Sequence, residues 1–373
     1  MNKQNNSIYK YTYFLEDINQ LDWVNNDLFK IQQWIINNKN GISPYYYNPS
    51  DYKYTKFLEN IQQIDWINKD SFNFKIWLIN NKLNYSPFLN RPNKIIFQNL
   101  EWTFNTTDDN GLVLWPYNNE KQGYNNTNAE VINIGTDKQL KIRLRKIIEN
   151  NSTYYISSRL EMIEEVHQLK LEKGKKISIE FEAKMPVAMD LNNNIINNVP
   201  LWPALWIMGT GQWNGESGWP FCGEIDVLEW CPTNDPNLYS NAIHYNDINN
   251  NHQYKSFIHS SGNLTSTFNK FKTIIYRDTE GNSKIEMYFN NLLINQYILS
   301  NEQKALFMEL DNNGNIINDS EKYFGLIMNI ALSGNYTGNK SIPDNFELAE
   351  MFIKSININN NDYIITNELS EEL

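Results

Sequence analysis

Three carboxylates fall within six residues of this chain, Glu224, Asp226 and Glu229, in the run GEIDVLEW (Gly223–Trp230). Their neighbours are apolar, and acidic groups are costly to bury in such company unless they are paired or used. Like charges held close raise at least one pKa, so one acid keeps its proton while its neighbour ionises. Glycoside hydrolysis needs that pairing: one carboxyl group protonates the leaving oxygen and a second acts as nucleophile or base. A gap of about 5–5.5 Å between two carboxyl groups suits the retaining route.

These side chains must be positioned by a strand. Glu224 and Asp226 share one face, because faces alternate along a strand. Glu229 lies five residues from Glu224, so a regular strand turns it to the opposite face. A β-bulge at Val227–Leu228 supplies the extra residue that brings it back. Five of the eleven Trp (Trp202, Trp206, Trp213, Trp219 and Trp230) lie between Val199 and Asp247. Their flat faces suit the C–H surfaces of sugar rings, while Asp and Asn suit the hydroxyl groups. The substrate class this points to is a polysaccharide.

From about Asn93 onward the chain reads as short alternating segments: Gln139–Arg145, Lys176–Lys184, Thr273–Arg277, Ser283–Phe289 and Glu350–Asn357. Asn, Asp and Gly clusters separate them, the pattern of antiparallel strands in a sandwich or barrel. Two similar turn-rich insertions, Asp190–Asn198 and Asp311–Asp319, read as protruding hairpin tips. The glycine-rich run Gly209–Gly218 lacks a Gly-Lys-Ser/Thr ending and reads as a cleft rim rather than a phosphate loop.

The segments LWPALWIMG (Leu201–Gly209), GWPFCGEIDVLEW (Gly218–Trp230) and NAIHYND (Asn241–Asp247) resemble glycoside hydrolase family 16, most of all its laminarinase-type endo-β-1,3-glucanases. The six-residue Glu-x-Asp-x-x-Glu form marks the bulged branch. YISSRL (Tyr155–Leu160), FEAKMP (Phe181–Pro186) and YFGLIMNIALSGNYTG (Tyr323–Gly338) extend the likeness over residues 93–360. The resemblance implies a mainly β chain: a β-jelly-roll sandwich of two curved antiparallel sheets with a concave cleft. It implies Glu224 as nucleophile, Glu229 as general acid/base and Asp226 between them. Arg159, Trp202, Trp206, Trp219, His244 and Asn329 would line the cleft, with Trp213 and Tyr336 on adjoining loops. No cofactor is required and no catalytic metal is expected; the resemblance allows a structural calcium ion. The chain departs from the pattern at Phe268–Phe271, at Ile275, at Met351–Lys354 and at Ser333-Gly334, which bears on substrate preference.

Ahead of this region lies a duplication. Tyr9–Pro44 and Tyr52–Pro87 align without gaps at an offset of 43 residues, and 21 of 36 positions are identical. Each copy reads as a helix pair: Phe14, Ile18 and Leu21, then Leu28, Ile31 and Ile35, matched by Phe57, Ile61 and Ile64, then Phe72, Ile76 and Ile79. The expected division is repeat 1 over 1–50, repeat 2 over 51–92, a catalytic domain over 93–367 and an acidic tail over 368–373. Two units fall short of a self-standing solenoid, so the repeats are expected to pack on each other, on the main domain or on a protein partner.

Composition narrows the partners. A net charge of −11 and a pI of about 5.0 argue against binding duplex nucleic acid. No apolar run is long enough to span a membrane, and MNKQNNSIYK lacks the apolar centre of a secretory signal. Asn occurs 62 times, so the sequons at Asn105, Asn263 and Asn335 carry little weight. Cys222 and Cys231 flank the acidic strand, roughly 30 Å apart if it is extended, and read as free thiols. They suggest intracellular synthesis or packaging, whereas a glucan substrate suggests action outside the cell. Three other readings stay open: the same chemistry on mixed-linkage glucan or algal galactan, glucan recognition without turnover, and attachment through the repeats.

Overall fold

The computed structural model describes residues 94–105, 113–114, 118–149, 152–162, 169–247 and 249–363. The two repeats, the boundary between them and the acidic tail lie outside the described residues. Everything described falls within the unit Asn93–Leu373.

Two large sheets face each other. One has nine strands, in the order Lys94–Phe97, Leu100–Phe104, Arg159–Met162, Glu321–Leu332, Leu201–Gly209, Glu224–Trp230, Leu238–Asn246 and His252–Ser260, with Leu169–Glu172 also paired to Glu321–Leu332. The other has ten, and at its centre Lys175–Met189 lies between Asn269–Arg277 and Leu348–Tyr363. Their neighbouring order is scrambled relative to the sequence, since the chain crosses repeatedly between the two layers. All five segments expected as strands are strands; Ser283–Phe289 has the expected bounds, Thr273–Arg277 begins earlier, at Asn269, and the other three are longer at both ends. The architecture is the expected jelly-roll sandwich of two antiparallel sheets, with one short parallel pairing, Gln122–Tyr124 beside Ser152–Ser157. That three-residue strand enters from the turn Asn118–Lys121, which is tied by the Lys121 N–H to the Leu332 carbonyl of the opposite sheet, and so meets its neighbour from the unexpected end.

Alternation builds the core. Along Lys175–Met189, Ile177, Ile179, Phe181, Ala183 and Met185 point inward and are fully buried, while Lys176, Ser178 and Glu180 between them are not. Trp102, Trp230, Phe97, Phe181 and Phe271 are among the bulkiest apolar fillers. Truncating a buried aromatic of this kind costs about 3–5 kcal/mol, so these residues carry a large share of the stability.

Of the two turn-rich insertions, Asp311–Asp319 is a hairpin tip as expected, between Glu309–Leu310 and Ile316–Asn318, whereas Asp190–Asn198 crosses from one sheet to the other and folds back only through the isolated bridge Met189–Ile195. In both, an aspartate closes the turn on backbone N–H groups: Asp190 accepts from Asn192 and Asn194, and Asp311 from Asn313 and Asn315. Asp247 repeats the device with Asn249 and Asn251. Among the described residues no helix is long and apolar enough to cross a membrane.

Candidate active site

The acidic strand Glu224–Trp230 lies deep in the nine-stranded sheet, between Leu201–Gly209 and Leu238–Asn246. Gly223 launches it with a φ of 72°, and a Cβ there would stand 2.4 Å from the Ala305 carbonyl oxygen. Only glycine satisfies both conditions. On one side Leu205 pairs with Leu228 and Trp206 with Asp226; on the other Ala242 pairs with Asp226 and Ser240 with Glu229. Both neighbours skip Val227 or its adjoining residue, so the extra residue sits where the spacing required it. Ile225 and Leu228 therefore enter the core, and Glu224, Asp226 and Glu229 share the other face.

Each carboxyl group has named surroundings. The Trp202 indole donates to Glu229 Oε1 at 3.0 Å. His244 Nε2 stands 3.2 Å from Asp226 Oδ2 and 3.8 Å from Glu224 Oε1. Asp226 Oδ2 is buried and has no aligned hydrogen-bond donor. Burial first, and then the charge of Asp226, push the Glu229 carboxyl up to about 8, against the pull of His244 and of the Trp202 N–H. Burial and mutual repulsion also hold Glu224 well above the usual carboxylate range, and burial does the same for Asp226. Glu224 keeps 15% of its side-chain exposure, so water reaches one edge of the cluster. The arrangement stores protons at neutral pH where isolated carboxylates would have none.

Around the acids stand side chains from neighbouring strands and from the loops that join them. Arg159 and Asn329 pair across adjacent strands. The Trp206 indole donates to Asn329 Oδ1 at 2.8 Å, and the Arg159 guanidinium lies over the Trp206 ring at 4.7 Å. Tyr336 stacks on Trp202 with centroids 5.0 Å apart, and its hydroxyl bonds Ser240 and the Glu229 carbonyl. Burial and the nearby Glu229 push that phenol well above its ordinary range. Trp219 is exposed, 6.2 Å from His244 and 4.4 Å from His252 between ring centroids. The rim Gly209–Gly218 contains one helical turn, Gly211–Asn214. It tucks Trp213 inward, where its N–H donates to Glu161 and its ring closes on Gly325.

Several participants were absent from the sequence reading. Glu161 is buried and takes both the Arg159 Nε–H and the Trp213 N–H. Its spacing of two from Arg159 on a strand was the available signal. Tyr124 receives a bond from Asn329 and gives one to Glu120, whose carboxyl burial pushes up. His252 and Tyr254 stand beside His244.

Glu224, Asp226 and His244 also form the one group among the described residues whose donor atoms could surround a metal ion. The set does not fit calcium, which takes six to eight oxygen ligands: it offers two carboxylates and an imidazole nitrogen already turned to Asp226.

No protein-family model matches the chain, and no curated protein matches it. Solved structures do. A glycoside hydrolase family 16 endo-glucanase from Bacteroides ovatus, in complex with G4G3G-2F-DNP, is 20% identical, covers 71% of this chain and 97% of its own, and superposes with a TM-score of 0.50. The catalytic domain of an endo-1,3-beta-glucanase (laminarinase) from Thermotoga petrophila RKU-1 is 23% identical over 73% of this chain and 94% of its own, with a TM-score of 0.49. An endo-beta-1,3-glucanase from Pyrococcus furiosus is 20% identical over 74% and 100%, with a TM-score of 0.47. The described residues thus have the fold seen in that glycoside hydrolase family 16 endo-glucanase.

Proposed function

We propose that the protein is a glucan hydrolase, and more narrowly an endo-acting, retaining β-1,3-glucanase. The observation that supports it most is the bulge at Val227, which gathers Glu224, Asp226 and Glu229 on one face beside Trp202 and Trp206. A structural strand gains nothing from three like charges kept partly protonated; an acid/nucleophile pair needs them. The solved structures of similar fold are endo-glucanases, and that likeness agrees with the reading.

In the first step the Glu224 carboxylate attacks the anomeric carbon while Glu229 gives its proton to the glycosidic oxygen. The C–O bond breaks and a glycosyl ester forms on Glu224. In the second step Glu229, now a carboxylate, takes a proton from water. The hydroxide oxygen bonds the anomeric carbon and Glu224 leaves. Asp226 lies between the two and exchanges a proton with Glu224, so that ionisation of the nucleophile is matched to the step that needs it. Arg159, Trp202, Trp206, Trp219, His244, Asn329, Trp213 and Tyr336 are proposed to bind or shape the site for the sugar.

The test is incubation with laminarin, mixed-linkage glucan and neutral and sulfated galactans, with sizing of the products and NMR of the newly formed anomer. Laminarin shortened to oligomers with β configuration at the new end is expected, and the Glu224→Gln protein should lose at least about 10³-fold in kcat. Turnover near wild type in that variant would sink the assignment. Cleavage of another glycan alone would move the substrate and leave the chemistry.

A further inference from the structure

His252 has no part in the chemistry outlined above, yet it lies in line with it. It opens the edge strand His252–Ser260, whose register sets Tyr254 opposite His244. A residue two positions away shares the face and reaches diagonally, so His252 meets His244. His252 Nε2 stands 3.0 Å from His244 Nδ1, with ring planes 10° apart and centroids 5.2 Å apart. Parallel planes at that centroid spacing, with nitrogens in hydrogen-bond contact, mean that the rings meet edge to edge. The other nitrogen of His244 faces Asp226 and Glu224. Trp219 covers His252 at 4.4 Å and Tyr254 flanks both imidazoles.

We propose that His252 is a positioning residue that fixes the tautomer of His244, so that His244 presents an N–H to the Asp226–Glu224 pair. The inference rests on the hydrolase reading for its effect on rate, though not for its effect on the imidazole. A neutral imidazole has one N–H, and which nitrogen carries it is decided by the partner of the other. If His252 Nε2 donates to His244 Nδ1, the proton of His244 must sit on Nε2 and point at Asp226 Oδ2. Without that donor the proton can move to Nδ1, and a lone pair then faces a carboxylate. The groups facing His252 and His244 are Glu224 and Asp226 from the acidic strand and Tyr254 from the edge strand. Burial, and then the neighbouring His244, lower the His252 pKa, which favours a neutral His252 at neutral pH.

Two substitutions in the full-length protein separate the bond from the packing. His252→Phe keeps a ring against Trp219 and removes the donor. His252→Gln loses the ring and keeps an N–H at about the same reach. The nitrogen shifts of His244 in ¹⁵N-labelled protein should report an Nε2–H tautomer in the wild type, a mixture in the Phe variant and the wild-type form in the Gln variant. On laminarin, His252→Phe should lose at least about tenfold in kcat, with a displaced pH profile and little change in KM. His252→Gln should recover most of the loss. An unchanged His244 tautomer in the Phe variant overturns the proposal, as does a loss in the Gln variant that matches or exceeds that in the Phe variant. If the tautomer responds but the wild type cleaves no glycan, the hydrolase reading fails and the histidine pair stands.

Discussion

Glu229 is pulled in two directions, upward by burial and the charge of Asp226, and downward by His244 and the Trp202 N–H, with the upward forces winning at about 8. In the proposed mechanism Glu229 is the general acid and must hold its proton, so kcat/KM should fall as the pH rises through about 8. On the acid side the rate should rise as the first proton leaves the Glu224–Asp226 pair, above the usual carboxylate range. Asp226→Asn removes the charge that lifts Glu229, so its basic limb should move to lower pH; a limb that stays put would contradict the coupling. The same shift has a stability consequence. The Glu229 carboxyl binds its proton more tightly folded than unfolded, where its pKa is about 4. Its contribution is therefore full below about pH 4 and is lost as the pH rises through about 8. Glu229→Gln should be more stable than wild type at pH 9, by on the order of 1–3 kcal/mol in unfolding free energy, and almost equally stable at pH 4, as read by denaturant unfolding.

Val227 makes the acidic strand open to a sharper test. Without it the run becomes Glu-Ile-Asp-Leu-Glu-Trp, in which plain alternation already places all three acids on one face. Both neighbouring ladders would then close without a skip, Trp206 and Leu205 meeting Asp226 and Leu228 in turn, and Ala242, Asn241 and Ser240 likewise on the other side. Deleting Val227 should therefore leave a folded protein with measurable activity, weaker by about 1–3 kcal/mol for the lost buried side chain. Inserting one alanine after Leu228 should abolish activity and lower Tm, because it sends Glu229 inward and Trp230 outward. Equal effects of deletion and insertion would refute the register argument. This strand was legible in the sequence because its periodicity and its one irregularity are local. The polar network beneath it was not. Glu161 matters through Trp213, 52 residues away, and Tyr124 through Asn329, 205 residues away. His252 matters through a hairpin register that the sequence leaves open. The parallel strand Gln122–Tyr124 escaped for the same reason, since its direction is set by a bond to the far sheet.

Among the described residues the core of the sandwich runs from Phe97 to Ile356 and lies between its two sheets. A protein beginning near Asn93 should accordingly fold on its own and keep its rate on short soluble glucans, measured by circular dichroism and product sizing. A folded but inactive truncation would show that the repeats complete the site. Beyond folding, the aspartate-closed tips bear on how the molecule ages. Asparagine followed by glycine is the pair most prone to lose its amide spontaneously, when the glycine nitrogen attacks the side chain and closes a five-membered imide. Asn313-Gly314 sits at such a tip, with Asn313 exposed. There the Gly314 N–H is held by the Asp311 carbonyl and the Asn313 N–H by the Asp311 carboxylate, while the Asn313 carbonyl is held by Asn250. Closing the imide would have to break these bonds, so in a chain that is one-sixth asparagine this turn carries its own brake on chemical decay.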